Sequence, residues 1–171
     1  MTDRIPRPFD LGNPVASSIG GVIHHAKYML DDAEYYNPLN RPLMMGYVLP
    51  TFQRGLVWTE AQKIRFIESA WMGMPLGTFS YNSYGVGNDD PNVRNLLIDG
   101  QQRLSAIQDY VANMFPVLGL LYDDLTKPEK RRFDAISFHS FEVRSDDEVF
   151  LREYYNRLNF GGTAHKEGEQ A

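Results

Sequence analysis

The stretch that most limits the fold is "NLLIDGQQRLSAIQDYV", residues 95–111. Leu96-Leu97-Ile98 is a short, uninterrupted apolar run, and a run of that length suits a buried strand. From Gln101 the spacing changes. Leu104, Ile107, Tyr110, Val111 and Met114 recur at helical intervals. A strand must therefore become a helix across Asp99-Gly100, with almost no connector. A turn alone needs only the glycine. The added carboxylate, two amides and guanidinium ask for another explanation.

The rest of the chain repeats the alternation. "MMGYVLP", "LGTFSYNS" and "SFHSFEVR" read as strands, and "FPVLGLLY" reads as a further candidate strand. Helical spacing covers 16–33, 59–74, 126–136 and 146–160, weakened in the first by Gly20 and Gly21. Thr59 with Gln62 and Ser145 with Glu148 have capping-box spacing, and Thr126 is placed to cap a third helix. Interspersed strands and helices without an internal repeat predict an α+β chain. The expected organisation is a flexible, extended arm over residues 1–14, rich in proline, one domain over 15–163, and a disordered tail over 164–171.

Composition excludes several functions. The 171 residues include no Cys, so disulfides and thiolate metal sites are ruled out. No apolar run reaches the roughly 18–20 residues needed to span a bilayer, and the N-terminus lacks the apolar region of a signal peptide. A cytoplasmic location, with no membrane partner, is the expectation. The net charge of −5 gives no overall grip on nucleic acid. A local basic surface remains open, with Arg94, Arg103, Lys127, Lys130, Arg131 and Arg132 as its candidates. His24 and His25 are adjacent, so they leave a helix on different sides and are poor partners for one metal.

Three polar stretches carry candidate chemistry. In Asp99–Arg103 the turn offers free helix N-terminal N–H groups, which favour an anion. Gly100 permits close approach, and Arg103 is placed to fork onto phosphate oxygens. Asp99 is a candidate for holding a metal ion, orienting Arg103 or binding a sugar hydroxyl. The structural alternative is that Asp99 caps the helix and the rest is solvated. The second stretch, Pro50–Arg54, brings Gln53 and Arg54, the same amide-plus-guanidinium chemistry. The third, Arg157–Thr163, offers Asn159 and Thr163, although its glycines first suggest a helix end. Neither a Walker A sequence nor a G-x-G-x-x-G is present.

Together "YVLPTFQRGLVW", "FIESAWMGMPLGTF", "LIDGQQRLSAIQDYV" and "YYNRLNFGGTAH" resemble the N-terminal domain of GmrSD-type restriction systems, of the ParB/sulfiredoxin-like group. The match spans roughly residues 47–166. The resemblance implies a ParB-like α+β fold with a mixed sheet and surrounding helices. It implies binding and hydrolysis of a nucleoside triphosphate with Mg²⁺, in phage defence and DNA metabolism. Carried over by motif, Asp99 and Arg103 would be catalytic, with Asp99 at the metal. Gln53, Arg54, Gly100, Gln101, Gln102, Asn159 and Thr163 would bind the nucleotide. DNA, a partner nuclease chain and self-association are the implied partners. The alternatives are a DNA-binding or DNA-cleaving module and a non-catalytic regulator that acts through a protein partner. Two departures stand out: Ser105 replaces the usual Thr, and Gly77-Thr78 replaces a frequent Ile-Pro. The chain ends eight residues after Thr163 with no nuclease-like His cluster, so cleavage is expected to need this domain itself or another chain.

Overall fold

A computed structural model describes residues 5, 7–83 and 90–160. Its elements in chain order are β1 (Asn13–Val15), α1 (Ile19–Asp31), α2 (Ala33–Tyr36), β2 (Leu43–Met44), β3 (Tyr47–Val48), α3 (Glu60–Trp71), β4 (Phe79–Asn82), β5 (Leu96–Asp99), α4 (Gln101–Val111), α5 (Lys127–Asp134), β6 (Ser140–Val143) and α6 (Glu148–Phe160). The strands form one mixed sheet in the order β1-β6-β4-β5-β3-β2. The pairs β3/β5 and β4/β6 are parallel, and the other neighbours are antiparallel. This is an α+β fold.

The apolar run of β5 follows from its position. Successive side chains of a strand point to opposite faces, so a strand covered on both sides has no polar face to present. Leu97 enters a core shared with Ile19 and Val22 of α1, Ile67 of α3, Leu104 and Ile107 of α4 and Phe133 of α5. Leu96 and Ile98 enter a second, smaller core with Leu151, Tyr154 and Tyr155 of α6. All three strand residues are at most 1% exposed.

Two of the expected strands take another form. "MMGYVLP" is not one strand but a hairpin of β2 and β3. Met45 and Gly46 have φ of +49° and +84° and turn the chain back on itself. Gly46 lies so close to α1 that an added Cβ would stand 2.9 Å from the Ala26 Cα. "FPVLGLLY" is a tight turn instead of a strand. Val117 and Leu120 exchange both backbone hydrogen bonds, at 2.9 and 3.0 Å, around Leu118 and Gly119 with φ of +52° and +80°. In both cases two successive positive φ values break the extended run.

The helix starts at 59 and 126 are as expected: Thr59 with Gln62 and Thr126 with Glu129 form complete capping boxes. The box expected from Ser145 and Glu148 is replaced by a cap two residues nearer the helix. Asp147 Oδ1 accepts from the Val149 and Phe150 amides at 2.9 and 3.2 Å, while Ser145 Oγ accepts from Asp147 N. A carboxylate at a helix N-terminus outcompetes a hydroxyl for these donors.

From Phe9 the chain lies on α6: the Phe9 and Phe150 rings stack at 5.2 Å, and the Tyr154 hydroxyl donates to the Leu11 carbonyl at 2.9 Å. β1 then pairs with β6. Gly161, Gly162, Thr163 and the expected tail lie outside the described residues.

Candidate functional site

Buried on both faces, the interior strand β5 ends at Asp99, and α4 begins two residues later at Gln101. Gly100 makes that reversal with φ +96°. A Cβ there would meet the Phe79 Cβ at 2.4 Å, so the close approach to β4 also requires glycine. Gly100 is the N-cap of α4 and has no side chain to satisfy the first amides of the helix.

Arg103, in the first turn of α4, folds back four residues. Its Nη2 donates to Asp99 Oδ2 at 2.6 Å, with the two side chains 24% and 26% exposed. Gly77, at φ +72°, lies against the other side of the guanidinium, and a Cβ there would stand 2.6 Å from Nη1. The guanidinium thus occupies space that a side chain at position 77 would take. Gly77, one of the two departures from the resembling pattern, faces the site.

The second stretch reaches the same place from the end of β3. Gln53 Nε2 donates to the Leu97 carbonyl at 3.4 Å, and its Oε1 is buried without a hydrogen-bond partner. The Arg54 amide donates to the Tyr155 hydroxyl at 3.1 Å. Beside it, Phe52 meets Tyr155 edge-on at 5.5 Å, with Arg152 over its other side. From α6, Asn159 Nδ2 donates to the Tyr155 carbonyl one turn earlier, at 2.9 Å.

These stretches enclose a pocket of about 210 Å³. Asp99, Gly100, Gln101, Gln102 and Arg103 form one side, and Gln53, Arg54 and Asn159 face them. Of the residues singled out in the sequence, only Thr163 lies outside the described part. The sequence reading missed Tyr155 and Trp58 as site residues, yet both line the pocket. Tyr155 carried a usable signal, since it precedes Asn159 by one helical turn on the same face. Two arginines and one aspartate line the pocket, a local excess of positive charge in an acidic chain.

The sequence model for "GmrSD restriction endonuclease, N-terminal domain" matches residues 35–167. The chain belongs to this family. No curated protein and no solved structure gives a significant match. The family match covers all three stretches, so each side of the pocket is built from GmrSD-family sequence.

Other candidates are placed elsewhere. Among the described residues no group of three or more His, Asp or Glu could hold a metal ion, and no helix is long and apolar enough to cross a membrane. His25 stacks on Tyr47 at 4.0 Å with Nδ1 3.1 Å from the Met45 carbonyl. Burial holds its pKa below the ordinary value. The basic candidates are spread over several elements, with Lys127, Lys130, Arg131 and Arg132 together on α5. Arg94 is buried over Tyr35, Lys130 pairs with Asp123 over the Tyr122 ring, and Arg132 covers Trp71.

Proposed function

We propose that this GmrSD-family domain binds a nucleoside triphosphate in the pocket and hydrolyses it, in the service of restriction and phage defence. One observation carries the reading: Arg54 and Arg103, from loops 49 residues apart in sequence, line one pocket at an α4 N-terminus that no side chain caps. Phosphates are anions rich in acceptors. Free helix amides and forked guanidiniums are the donors that fit them.

Arg103 and Arg54 would neutralise the phosphate charge that builds up during hydrolysis. Asp99 would orient the attacking water. Water attacks the terminal phosphorus, the bond to the bridging oxygen breaks, and the diphosphate and phosphate leave with the water proton passing to solvent. Magnesium usually binds through one or two carboxylates together with substrate phosphates, not in an all-protein cage. A pocket with a single carboxylate fits that mode, and Asp99 would be the protein ligand of an ion that arrives with the nucleotide. The ion would supply charge neutralisation at the phosphates. The family ties the domain to restriction, so DNA and a nuclease chain are the partners we propose for the work that hydrolysis drives.

The test is calorimetric titration of ATP, GTP, CTP and UTP with Mg²⁺ against wild type and Arg103→Ala, with phosphate release read on the same samples. Arg103-dependent binding with turnover is the expected result. Wild-type affinity in the variant would remove the site assignment, and binding without turnover would remove hydrolysis.

A further inference from the structure

We propose that Gln102, central to the Asp-Gly-Gln-Gln-Arg stretch, is a positioning residue: its side-chain amide clasps the 55–58 loop to α4 and so fixes Arg54 and Trp58 at the pocket. This rests on the nucleotide reading above but assigns Gln102 a different role from the ligand contact its motif suggests.

Gln102 Oε1 accepts from two successive amides, Val57 N at 3.0 Å and Trp58 N at 3.1 Å. Its Nε2 donates to the Gly55 carbonyl at 3.2 Å. An amide oxygen has two lone pairs, and both are taken. One N–H remains. The side chain therefore acts as an inserted peptide group that closes the loop on itself, with little capacity left for a ligand.

The loop has few other anchors. Leu56 and Val57 are 48% and 59% exposed, and a Cβ at Gly55 would meet nothing within 4 Å. Its two ends carry the functional groups: Arg54 precedes it, and Trp58 closes it just before the Thr59 cap of α3. A segment with so little burial opens easily unless hydrogen bonds hold it. Farther along the same helix, Gln108 Oε1 accepts from Met45 N at 3.0 Å and holds the β2–β3 turn in the same way. Thus α4 uses glutamine amides to fasten the irregular segments beside it.

The experiment compares wild type, Gln102→Met, Gln102→Asn and Gln102→Met with Gly55→Ala, by amide hydrogen exchange and ATP and GTP titration. Methionine keeps the length without the bonds, and asparagine keeps the groups without the reach. Ala at position 55 stiffens the loop at a site open enough to accept it. The expected result is exchange at Val57 and Trp58 at least tenfold faster in both single variants, with the amides of α3 and α4 unchanged. Nucleotide affinity should fall about tenfold, and Gly55→Ala should recover part of the loss. Unchanged exchange at Val57 and Trp58 would overturn the clasp. Lost affinity that Gly55→Ala does not improve would return Gln102 to the role of ligand. If wild type binds no nucleotide, the functional reading fails, and the exchange data alone decide the clasp.

Discussion

Helices α3 and α4 begin in opposite ways. At the start of α3, Thr59 accepts from the Gln62 amide while the Gln62 side chain accepts from the Thr59 amide at 2.8 Å. Helix α5 repeats this with Thr126 and Glu129, Ser18 caps α1, and Asp147 caps α6. At α4 a glycine stands where the capping side chain would be, and the nearby polar groups reach outward to Asp99 and the 55–58 loop. A capped start is closed, because its donors are satisfied within the chain. An uncapped start flanked by two arginines leaves its first amides without a side-chain acceptor. Polar residues at a helix start are therefore not equivalent: those of α3 and α5 cap their own helix, and those of α4 bond to the preceding strand and a neighbouring loop.

Substitutions can break or sharpen that contrast. The largest expected effect is at Gly100. Gly100→Ala forces a side chain into positive φ and onto Phe79, and should cost about 3 kcal/mol of stability, read as a shift in the urea unfolding midpoint. An unchanged midpoint would mean that the turn relaxes and that glycine is not required there. Next is Arg103→Ala. Loss of a charge-assisted phosphate contact should weaken nucleotide binding about a hundredfold in titration, with the thermal midpoint nearly unchanged. Thr59→Ala and Thr126→Ala should each cost about 1 kcal/mol in thermal unfolding and leave nucleotide affinity alone. An affinity loss in Thr126→Ala would erase the distinction between capped and open helix starts.

The smallest effect concerns pH. Burial lowers the pKa of His25 from the ordinary 6.5, against the opposing pull of the Met45 carbonyl. Below pH 6.5 the unfolded chain takes up this proton more readily than the folded one. Stability is therefore full above pH 6.5 and declines as the pH falls toward the folded pKa. Urea midpoints at pH 7.5 and 5.5 should show the decline, and His25→Gln should reduce it.

Much of this was legible in the residues. The switch from Leu96–Ile98 to the Leu104–Ile107–Tyr110 stripe gave β5 and α4 because hydrophobic period reports burial directly. Thr59 and Thr126 were readable because a capping box is local, with both partners three residues apart. The box expected at Ser145 failed because a better acceptor, Asp147, lies two residues on. The strands expected at 44–50 and 115–122 failed where Met45 and Leu118, residues that rarely take positive φ, do so beside a glycine.

The chemistry of the pocket was written in Gln53, Arg54 and Asp99–Arg103, whose side chains set what the site can offer whatever their arrangement. Their meeting was not. Nothing local relates Arg54 to Arg103 or Tyr155 to the Arg54 amide, because these pairs are 49 and 101 residues apart and come together only once β3 and β5 pair and α6 packs on the sheet. The division of labour between Gln101 and Gln102 is of the same kind. The two carry identical side chains and both line the pocket, and only the helix phase and the neighbouring loop bring Gln102 to the amides of Val57 and Trp58 and the Gly55 carbonyl.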